Sequence, residues 1–174
     1  MSILILSDTH GLIQEVKQVV DRHQVDMILH CGDFCVDSRR EPFAGMQLVR
    51  GNCDTATDVP LERKVTWNGL TIYQTHGHLH GVKSSLLKLH YRAEEVGANL
   101  VLFGHSHVPV STVERGILFV NPGSLQLPRG FDRPTYAVIA KQAELPEGHQ
   151  LEVVFYDHKG SVVTERGGRY LVRR

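Results

Sequence analysis

Seven side chains with nitrogen or oxygen donor atoms stand just after short apolar runs of this sequence. They are Asp8, His10, Asp33, Asn52, His76, His105 and His107. Carboxylate, imidazole and amide groups are typical ligands of catalytic divalent metals in proteins. If Asp33 is shared, the set supplies four protein ligands to each of two ions. The pattern therefore predicts a dinuclear metal centre in which Asp33 bridges the ions.

Two pairs of these donors are separated by a single residue. In an extended chain Asp8 and His10 project to the same side, roughly 6 to 7 Å apart along the strand, so both can close on one ion. The same reasoning applies to His105 and His107, although these two rings could equally bind neighbouring ions. The spacing thus supports metal binding without assigning every ligand to its ion.

The histidines around position 76 leave one assignment open. His76 comes first after its apolar run, and we favour it over His78 as the metal ligand. His78 is then expected to contact the substrate together with Asn52, and His80 to lie at the surface. We predict that the catalytic residues are Asp33, Asn52 and His76.

The charges of the predicted centre suit an anionic phosphodiester. Two divalent ions carry four positive charges and Asp8 and Asp33 carry two negative ones, which leaves an excess of two positive charges. A bridging hydroxide would reduce this excess to one. Paired ions acidify a bound water molecule and clamp the oxygens of an in-line displacement. The set contains no thiolate, which favours Mn²⁺, with Ni²⁺, Fe or Zn²⁺ as alternatives, over a structural zinc site.

The composition restricts the class of protein. A chain of 174 residues suits one domain over 1–174, and its 19 Lys plus Arg balance 19 Asp plus Glu, so no clear nucleic-acid or membrane surface is expected. The first residues lack the basic and apolar regions of a signal peptide, which predicts a cytoplasmic protein. Cys31, Cys35 and Cys53 are expected to stay reduced, the first two as buried apolar residues. The expected partner is a small-molecule phosphodiester, and a homo-oligomer stays open.

Six strands must position the donors, and each should end at the carboxyl edge of a sheet, where sites are built in α/β proteins. The stretches that carry them are 3–6, 25–33, 46–49, 70–73, 100–103 and 117–120. Helices are predicted over 12–23 and from 84 or 85 to 96. Asn68-Gly69 and Arg115-Gly116 predict two hairpins. Strands over 136–140 and 151–156, a turn over 144–149 and an edge or frayed tail over 159–174 complete the chain.

The ordered motifs of this chain resemble those of the calcineurin-like metallophosphoesterase superfamily, and most closely its small bacterial and archaeal phosphodiesterase branch. The motifs are Asp8-Thr9-His10, Gly32-Asp33, Gly51-Asn52-Cys53-Asp54, Thr75-His76-Gly77-His78, Gly104-His105-Ser106-His107 and Asn121-Pro122-Gly123-Ser124. The resemblance covers about residues 1–160. It implies an α/β (α+β) fold, a four-layer αββα sandwich of two mixed β-sheets flanked by helices, with the dinuclear metal site at the carboxyl ends of strands.

The resemblance also implies ligand sets and an activity. One ion would be held by Asp8, His10, Asp33 and His107, and the other by Asp33, Asn52, His76 and His105. The implied activity is metal-dependent hydrolysis of a small phosphodiester. The alternative is a metal-binding protein-interaction scaffold of the same fold with little catalysis. Many members carry a histidine after the motif asparagine as general acid, whereas this chain, like the small branch, has Cys53.

Overall fold

The computed structural model describes residues 1–173, which form eleven strands and two α-helices. In chain order these are β1 (Ser2–Leu6), α1 (Ile13–Asp21), β2 (Met27–His30), β3 (Gln47–Leu48), β4 (Glu62–Trp67), β5 (Leu70–Thr75), α2 (Leu87–Val96), β6 (Leu100–Leu102), β7 (Val110–Glu114), β8 (Ile117–Asn121), β9 (Thr135–Leu145), β10 (Gly148–Asp157) and β11 (Gly168–Arg173). Short 3₁₀ turns lie at Phe43–Gly45 and His78–His80.

The strands form two mixed sheets. Sheet I has the order β11-β10-β9-β1-β2-β3, and its strands β1, β2 and β3 are parallel. Sheet II has the order β4-β5-β6-β8-β7, and its strands β5, β6 and β8 are parallel. Parallel neighbours end at the same edge of a sheet, so the loops after them lie together.

Alternating side chains of β1 explain the layers. Ile3 and Ile5 point into a core that also contains Ile72 and Leu100 of sheet II, so the two sheets pack face to face. Leu4 and Leu6 point the other way and pack with residues of α1. Tyr73 and Phe119 on the outer face of sheet II pack with Leu89 and Ala93 of α2. The four-layer αββα sandwich predicted from the sequence is confirmed.

The two predicted hairpins are also confirmed. Trp67 pairs with Leu70 across Asn68-Gly69, and both turn residues have positive φ angles, 48° and 81°. Glu114 pairs with Ile117 across Arg115-Gly116, again with two positive φ angles, 49° and 77°. Positive φ at both central residues is the requirement of the type I′ turn, which matches the twist of the flanking strands.

Some predicted boundaries are wrong. The turn expected over 144–149 is much shorter, because β9 continues to Leu145 and β10 begins at Gly148. Helix α2 begins at Leu87 instead of 84 or 85, and Ser85 Oγ accepts a hydrogen bond from Leu87 N at 3.1 Å. The tail contains the edge strand β11, while Arg174 lies outside the described residues. None of the described helices is long and apolar enough to span a membrane.

Candidate metal centre

Asp8 occupies the middle of the cluster that forms where the parallel strands of the two sheets end. Its Oδ1 atom lies 3.0 Å from His107 Nε2 and 3.9 Å from both His10 Nε2 and His76 Nε2. These residues follow β1, β5 and β6, so the site draws on both sheets. The predicted convergence of strand ends is therefore seen in the structure.

Asp33 faces two of the same histidines from the end of β2. Its Oδ2 atom lies 3.4 Å from His76 Nε2 and 3.9 Å from His10 Nε2. Ligand atoms within 4.8 Å of one another are offered by Asp8, His10 and His107, and by Asp8, Asp33 and His76. The two carboxylates thus share the space between His10 and His76, which is the position a bridging ligand would need.

Asn52 and His105 complete the set on the side of His76. Asn52 Oδ1 lies 3.1 Å from His76 Nε2. The ring of His105 lies 5.1 Å from the ring of His76, and its backbone N–H donates to Asp8 Oδ2 at 3.0 Å. His105 is not part of any three-residue donor group found among the described residues. The structure therefore brings six of the predicted residues into close contact and leaves the His105 ring at their margin.

His78 and His80 lie in the 3₁₀ turn that follows His76. The His78 ring is 5.3 Å from the His76 ring and 6.1 Å from the His105 ring, beside the predicted ligands. His80 is partly buried, and its ring packs edge-on against Tyr73, so the expected surface position of His80 is wrong. His80 contacts Tyr73 because the 3₁₀ turn folds back over the end of β5.

Backbone carbonyls orient two of the imidazoles. His76 Nδ1 donates to Cys31 O at 2.6 Å, and His107 Nδ1 donates to Leu127 O at 2.6 Å. A proton fixed on Nδ1 leaves the Nε2 lone pair of the neutral ring for a metal. In both residues Nε2 is the atom that faces Asp8. Both rings are therefore oriented as metal ligands.

The pKa values of the carboxylates and imidazoles show how the metal-free site is balanced. Burial opposes ionisation of Asp8, but its contacts with His107 and His76 outweigh burial and lower its pKa. Burial also acts to raise the pKa of the Asp33 carboxyl, but the contact with His76 outweighs it and lowers this pKa. The pKa of His107 is raised mainly by its contact with Asp8, and that of His76 is raised by both carboxylates despite burial. In the absence of metal, the two carboxylates therefore favour the protonated form of these imidazoles.

His105 differs from these two histidines. Burial, together with the positive charges of His76 and Lys83, lowers its pKa to about 4. Its imidazole is consequently neutral near pH 7. A neutral ring at the margin of the cluster can accept a cation without first losing a proton.

Unpartnered polar atoms test whether a cation fits. Asp8 is completely buried, and its Oδ1 atom forms no hydrogen bond with the described residues. His10 Nε2 is also buried without a hydrogen bond. When His76 is neutral, its Nε2 and Asn52 Oδ1 are both acceptors, so their 3.1 Å approach needs a proton or a cation. Unpaired nitrogen and oxygen acceptors that face one space suit a divalent metal.

Most of the seven predicted donors have a left-handed backbone conformation. The φ angles lie between 41° and 66° for Asp8, His10, Asp33, His105 and His107. For a residue with a Cβ atom this conformation costs of order 1–3 kcal/mol and is concentrated at functional sites. The surrounding hydrogen bonds must therefore hold these residues in place.

Glycines precede three of the donors because the backbone passes close to other ligands. A Cβ on Gly32 would lie 2.7 Å from His76 Nδ1, and one on Gly104 would lie 2.6 Å from Asp8 Oδ2. A Cβ on Gly51 would collide with Asp33. The repeated glycine-donor motif therefore has a steric cause.

Asp54 is a residue that the sequence reasoning missed. Its carboxylate accepts hydrogen bonds from the backbone N–H groups of Asp33, Gly51 and Cys35, at 2.7, 2.8 and 2.8 Å. Ser124 has a similar function on the other side, where its hydroxyl donates to Asp8 O at 2.7 Å. Both residues stand in motifs noted above, and their position at motif ends was the available signal.

The three cysteines are free thiols in different surroundings. Cys31 is buried as predicted, but Cys35 is exposed, so its predicted burial is wrong. The reason is that Cys35 lies beyond Asp33 in the loop, where its Sγ atom is 3.6 Å from His10 Nδ1. Burial of the thiol group itself and the negative charge of Asp54 raise the pKa of Cys35 to about 12. Cys53 is exposed beside Asn52 and belongs to a further donor group with His10 and Asp33.

A family model and several known proteins match the sequence of this chain. Residues 1–144 match the family model described as the calcineurin-like phosphoesterase superfamily domain. The chain belongs to this superfamily. It is 42% identical over 171 residues to the probable metallophosphoesterase YsnB of Bacillus subtilis, with 97% of this chain and 98% of that protein covered. It is 30% identical over 167 residues to the phosphodiesterase YfcE of Escherichia coli, with 80% and 87% covered.

Solved structures agree with the calcineurin-like fold. A Streptococcus pneumoniae protein described as a predicted phosphoesterase superposes with a TM-score of 0.89 and 32% identity, covering 98% of this chain and 97% of that chain. Vps29 of Entamoeba histolytica superposes with a TM-score of 0.79 at 18% identity, covering 99% and 100%, which shows the fold alone. The predicted relation to the small bacterial and archaeal branch is confirmed.

Proposed function

We propose that this calcineurin-like protein is a metal-dependent phosphodiesterase that hydrolyses a small phosphodiester at two divalent ions. The observation that carries the proposal is the approach of two carboxylates to one imidazole, since His76 Nε2 lies 3.9 Å from Asp8 Oδ1 and 3.4 Å from Asp33 Oδ2. Two carboxylates this close repel each other unless positive charge lies between them. The donors are all nitrogen and oxygen, which suits a catalytic divalent centre.

The proposed ligands follow the two sides of the cluster. One ion is held by Asp8, His10, Asp33 and His107, and the other by Asp33, Asn52, His76 and His105. The 3.0 Å approach of His107 Nε2 to Asp8 Oδ1 supports the first set, and the 3.1 Å approach of His76 Nε2 to Asn52 Oδ1 supports the second. Mn²⁺ as the native ion and the cytoplasm as the compartment stay predictions from the sequence.

When bound, paired divalent ions acidify a water molecule and neutralise the phosphate oxygens of an in-line displacement. The protein's part is to position the groups around that reaction. Cys53 N donates to Asp33 Oδ1 at 2.9 Å, which leaves Asp33 Oδ2 directed at His76 and His10. Asn52 is exposed at the mouth of the site and is proposed to contact the phosphate together with His78.

The alternative function is a protein-interaction scaffold with a metal site and little catalysis. The fold is shared with proteins named Vps29, so fold alone does not separate the two functions. The donor set favours the enzyme, because every one of the seven predicted positions holds a competent metal ligand.

The test uses the chromogenic diester bis(4-nitrophenyl) phosphate. Metal-loaded protein should hydrolyse it, lose the activity with a chelator and regain it with Mn²⁺. Asp33→Asn should abolish turnover and leave well under two ions per chain, because both ions lose a ligand. Glu147→Gln, in the turn between β9 and β10, is the matched control and should retain both. Two bound ions with normal turnover in Asp33→Asn would refute the bridging assignment.

A further inference from the structure

A cleft of about 700 Å³ lies beside the candidate metal centre and has no part in the chemistry proposed above. Its walls are the loop segments 35–39 and 55–58. Cys35 belongs both to the cleft and to the centre, because it lines the cleft and its Sγ atom lies 3.6 Å from His10 Nδ1. A molecule that reacts at the metal centre can therefore extend into this space.

Asp54 fixes the cleft relative to the centre. One of its carboxylate oxygens accepts a hydrogen bond from Cys35 N in the first wall at 2.8 Å, and the other accepts from Asp33 N in the centre at 2.7 Å. The second wall begins at Thr55, directly after Asp54. The cleft is thus attached to the proposed ligands by short hydrogen bonds, as a substrate subsite would be.

The charges in the cleft are unequal. Arg39 is engaged by Asp37, whose carboxylate accepts from Nε and from a terminal nitrogen of the guanidinium, each at 3.0 Å. Asp58 forms no hydrogen bond or ion pair with the part of the chain that the structure describes. Its negative charge nevertheless acts on Arg39, so two carboxylates share one guanidinium and the cleft keeps one net negative charge, next to the hydroxyls of Ser38 and Thr55.

The other side of the centre carries positive charge. Lys83 lies close enough to His105, and Arg50 close enough to His78, for their positive charges to act on these two side chains. A ligand that spans the centre would thus meet positive charge on the phosphate side and negative charge in the cleft.

We propose that this cleft binds an alcohol portion of the phosphodiester substrate that carries a primary ammonium group, as in an aminoethyl ester. The inference rests on the proposed phosphodiesterase function and names the substrate class of that same site. Carboxylate and hydroxyl oxygens accept the hydrogen bonds of an ammonium group. Of the residues that line the cleft, none is aromatic, so the cleft lacks the rings that recognise quaternary ammonium groups.

The experiment compares two esters with the same leaving group, 2-aminoethyl 4-nitrophenyl phosphate and propyl 4-nitrophenyl phosphate. They differ by an ammonium group in place of a methyl group. The metal-loaded protein should show a KM about two- to fivefold lower for the aminoethyl ester, with similar kcat, which is the size expected of an exposed ion pair. Added salt should reduce the difference.

Asp58→Asn should remove the preference, because it replaces the carboxylate that makes the cleft negative overall with a neutral group of the same shape. Glu147→Gln is the control, since β9 pairs antiparallel with β1 and its turn to β10 lies beyond the amino end of β1, opposite Asp8. This control should keep the preference. Equal KM values in the parent protein, or a preference that survives Asp58→Asn, would overturn the subsite while the phosphodiesterase proposal stands.

Failure of the phosphodiesterase proposal would appear differently, as no hydrolysis of either ester. In that case calorimetric titration of the metal-loaded protein with the two intact esters decides the question. Tighter binding of the aminoethyl ester that disappears in Asp58→Asn would support the cleft as an ammonium site. Equal affinities would overturn it.

Discussion

Replacement of Asp54 by alanine tests how the metal centre is held in place. The carboxylate connects three loop segments, because Oδ2 accepts hydrogen bonds from Asp33 N and Gly51 N and Oδ1 accepts one from Cys35 N. Asp33 and Cys35 both have φ angles of 57° and lie in the loop after β2, where their N–H groups donate to Asp54 instead of to a neighbouring strand. Without the carboxylate, three backbone donors lose their acceptor.

The size of the effect follows from these three bonds. A hydrogen bond to a charged group contributes about 1.5–3 kcal/mol, and a partly buried acceptor belongs at the lower end, so Asp54→Ala should lower the free energy of unfolding by roughly 4 kcal/mol. Asparagine with its oxygen in the place of Oδ2 keeps the bonds from Asp33 and Gly51. One bond is then lost and two become neutral bonds of about 1 kcal/mol each, so Asp54→Asn should cost roughly 2–3 kcal/mol. A loss of 4 kcal/mol is a large part of the typical stability of a domain, about 5–15 kcal/mol.

The assay is urea unfolding of the metal-free protein, so that changes in metal affinity do not enter the comparison. Asp58→Ala is the matched control, because Asp58 is exposed, lies four residues further along the chain and has no hydrogen bond or ion pair with the described residues. The control should change stability by less than about 0.5 kcal/mol. If Asp54→Ala unfolds at the same urea concentration as this control, the three hydrogen bonds do not hold the loops.

Three further predictions concern the centre itself. The pKa of Asp33 is lowered and that of His76 is raised, so the metal-free protein should be most stable between about pH 4 and 6.5. Its stability should fall as the pH drops through the folded carboxyl pKa and as the pH rises through the folded imidazole pKa. A urea midpoint that does not change with pH would contradict this prediction. Mn²⁺ should raise the melting temperature by mass action, and less so in His76→Ala; equal melting temperatures with and without Mn²⁺ would contradict metal binding at this centre. Burial and the charge of Asp33 raise the pKa of Cys53, which makes its thiol a weak proton donor. Cys53→Ala should therefore change the turnover of a nitrophenyl diester little, and rates across aryl diesters should fall steeply as the leaving-group pKa rises. A hundredfold loss of turnover in Cys53→Ala with both metals retained would show that Cys53 is catalytic.

The donors could be found from the sequence because their signal is local. An apolar run followed by glycine and a ligand residue predicts both a strand and the position where it ends. Gly32-Asp33 and Gly104-His105 show this pattern most clearly. The apolar run Ile3 to Leu6 likewise predicts a buried strand, although only the structure shows that Ile3 and Ile5 face the other sheet. Local patterns of this kind carried most of the fold.

Features that depend on tertiary contacts were missed. Asp54 looks like any loop aspartate until the left-handed backbone of Asp33 and Cys35 turns their N–H groups towards it. The extension of β9 to Leu145 depends on its pairing with β10, which the residues before Pro146 do not state. In each case the deciding partner lies elsewhere in the chain or depends on an unusual φ angle.

The backbone conformation and the burial of Asp8 explain why several neighbouring groups donate hydrogen bonds to this residue. Asp8 combines a left-handed φ angle of 53° with complete burial of a carboxylate, and each of these features costs stability. Ser7 Oγ and His105 N donate to Asp8 Oδ2, and Ser124 Oγ donates to Asp8 O, so these donors offset that cost. None of these three donors reaches Oδ1, which faces the histidines. These hydrogen bonds satisfy Oδ2 of Asp8 and leave Oδ1 directed at the histidines. This arrangement is expected where a metal ion binds the second oxygen.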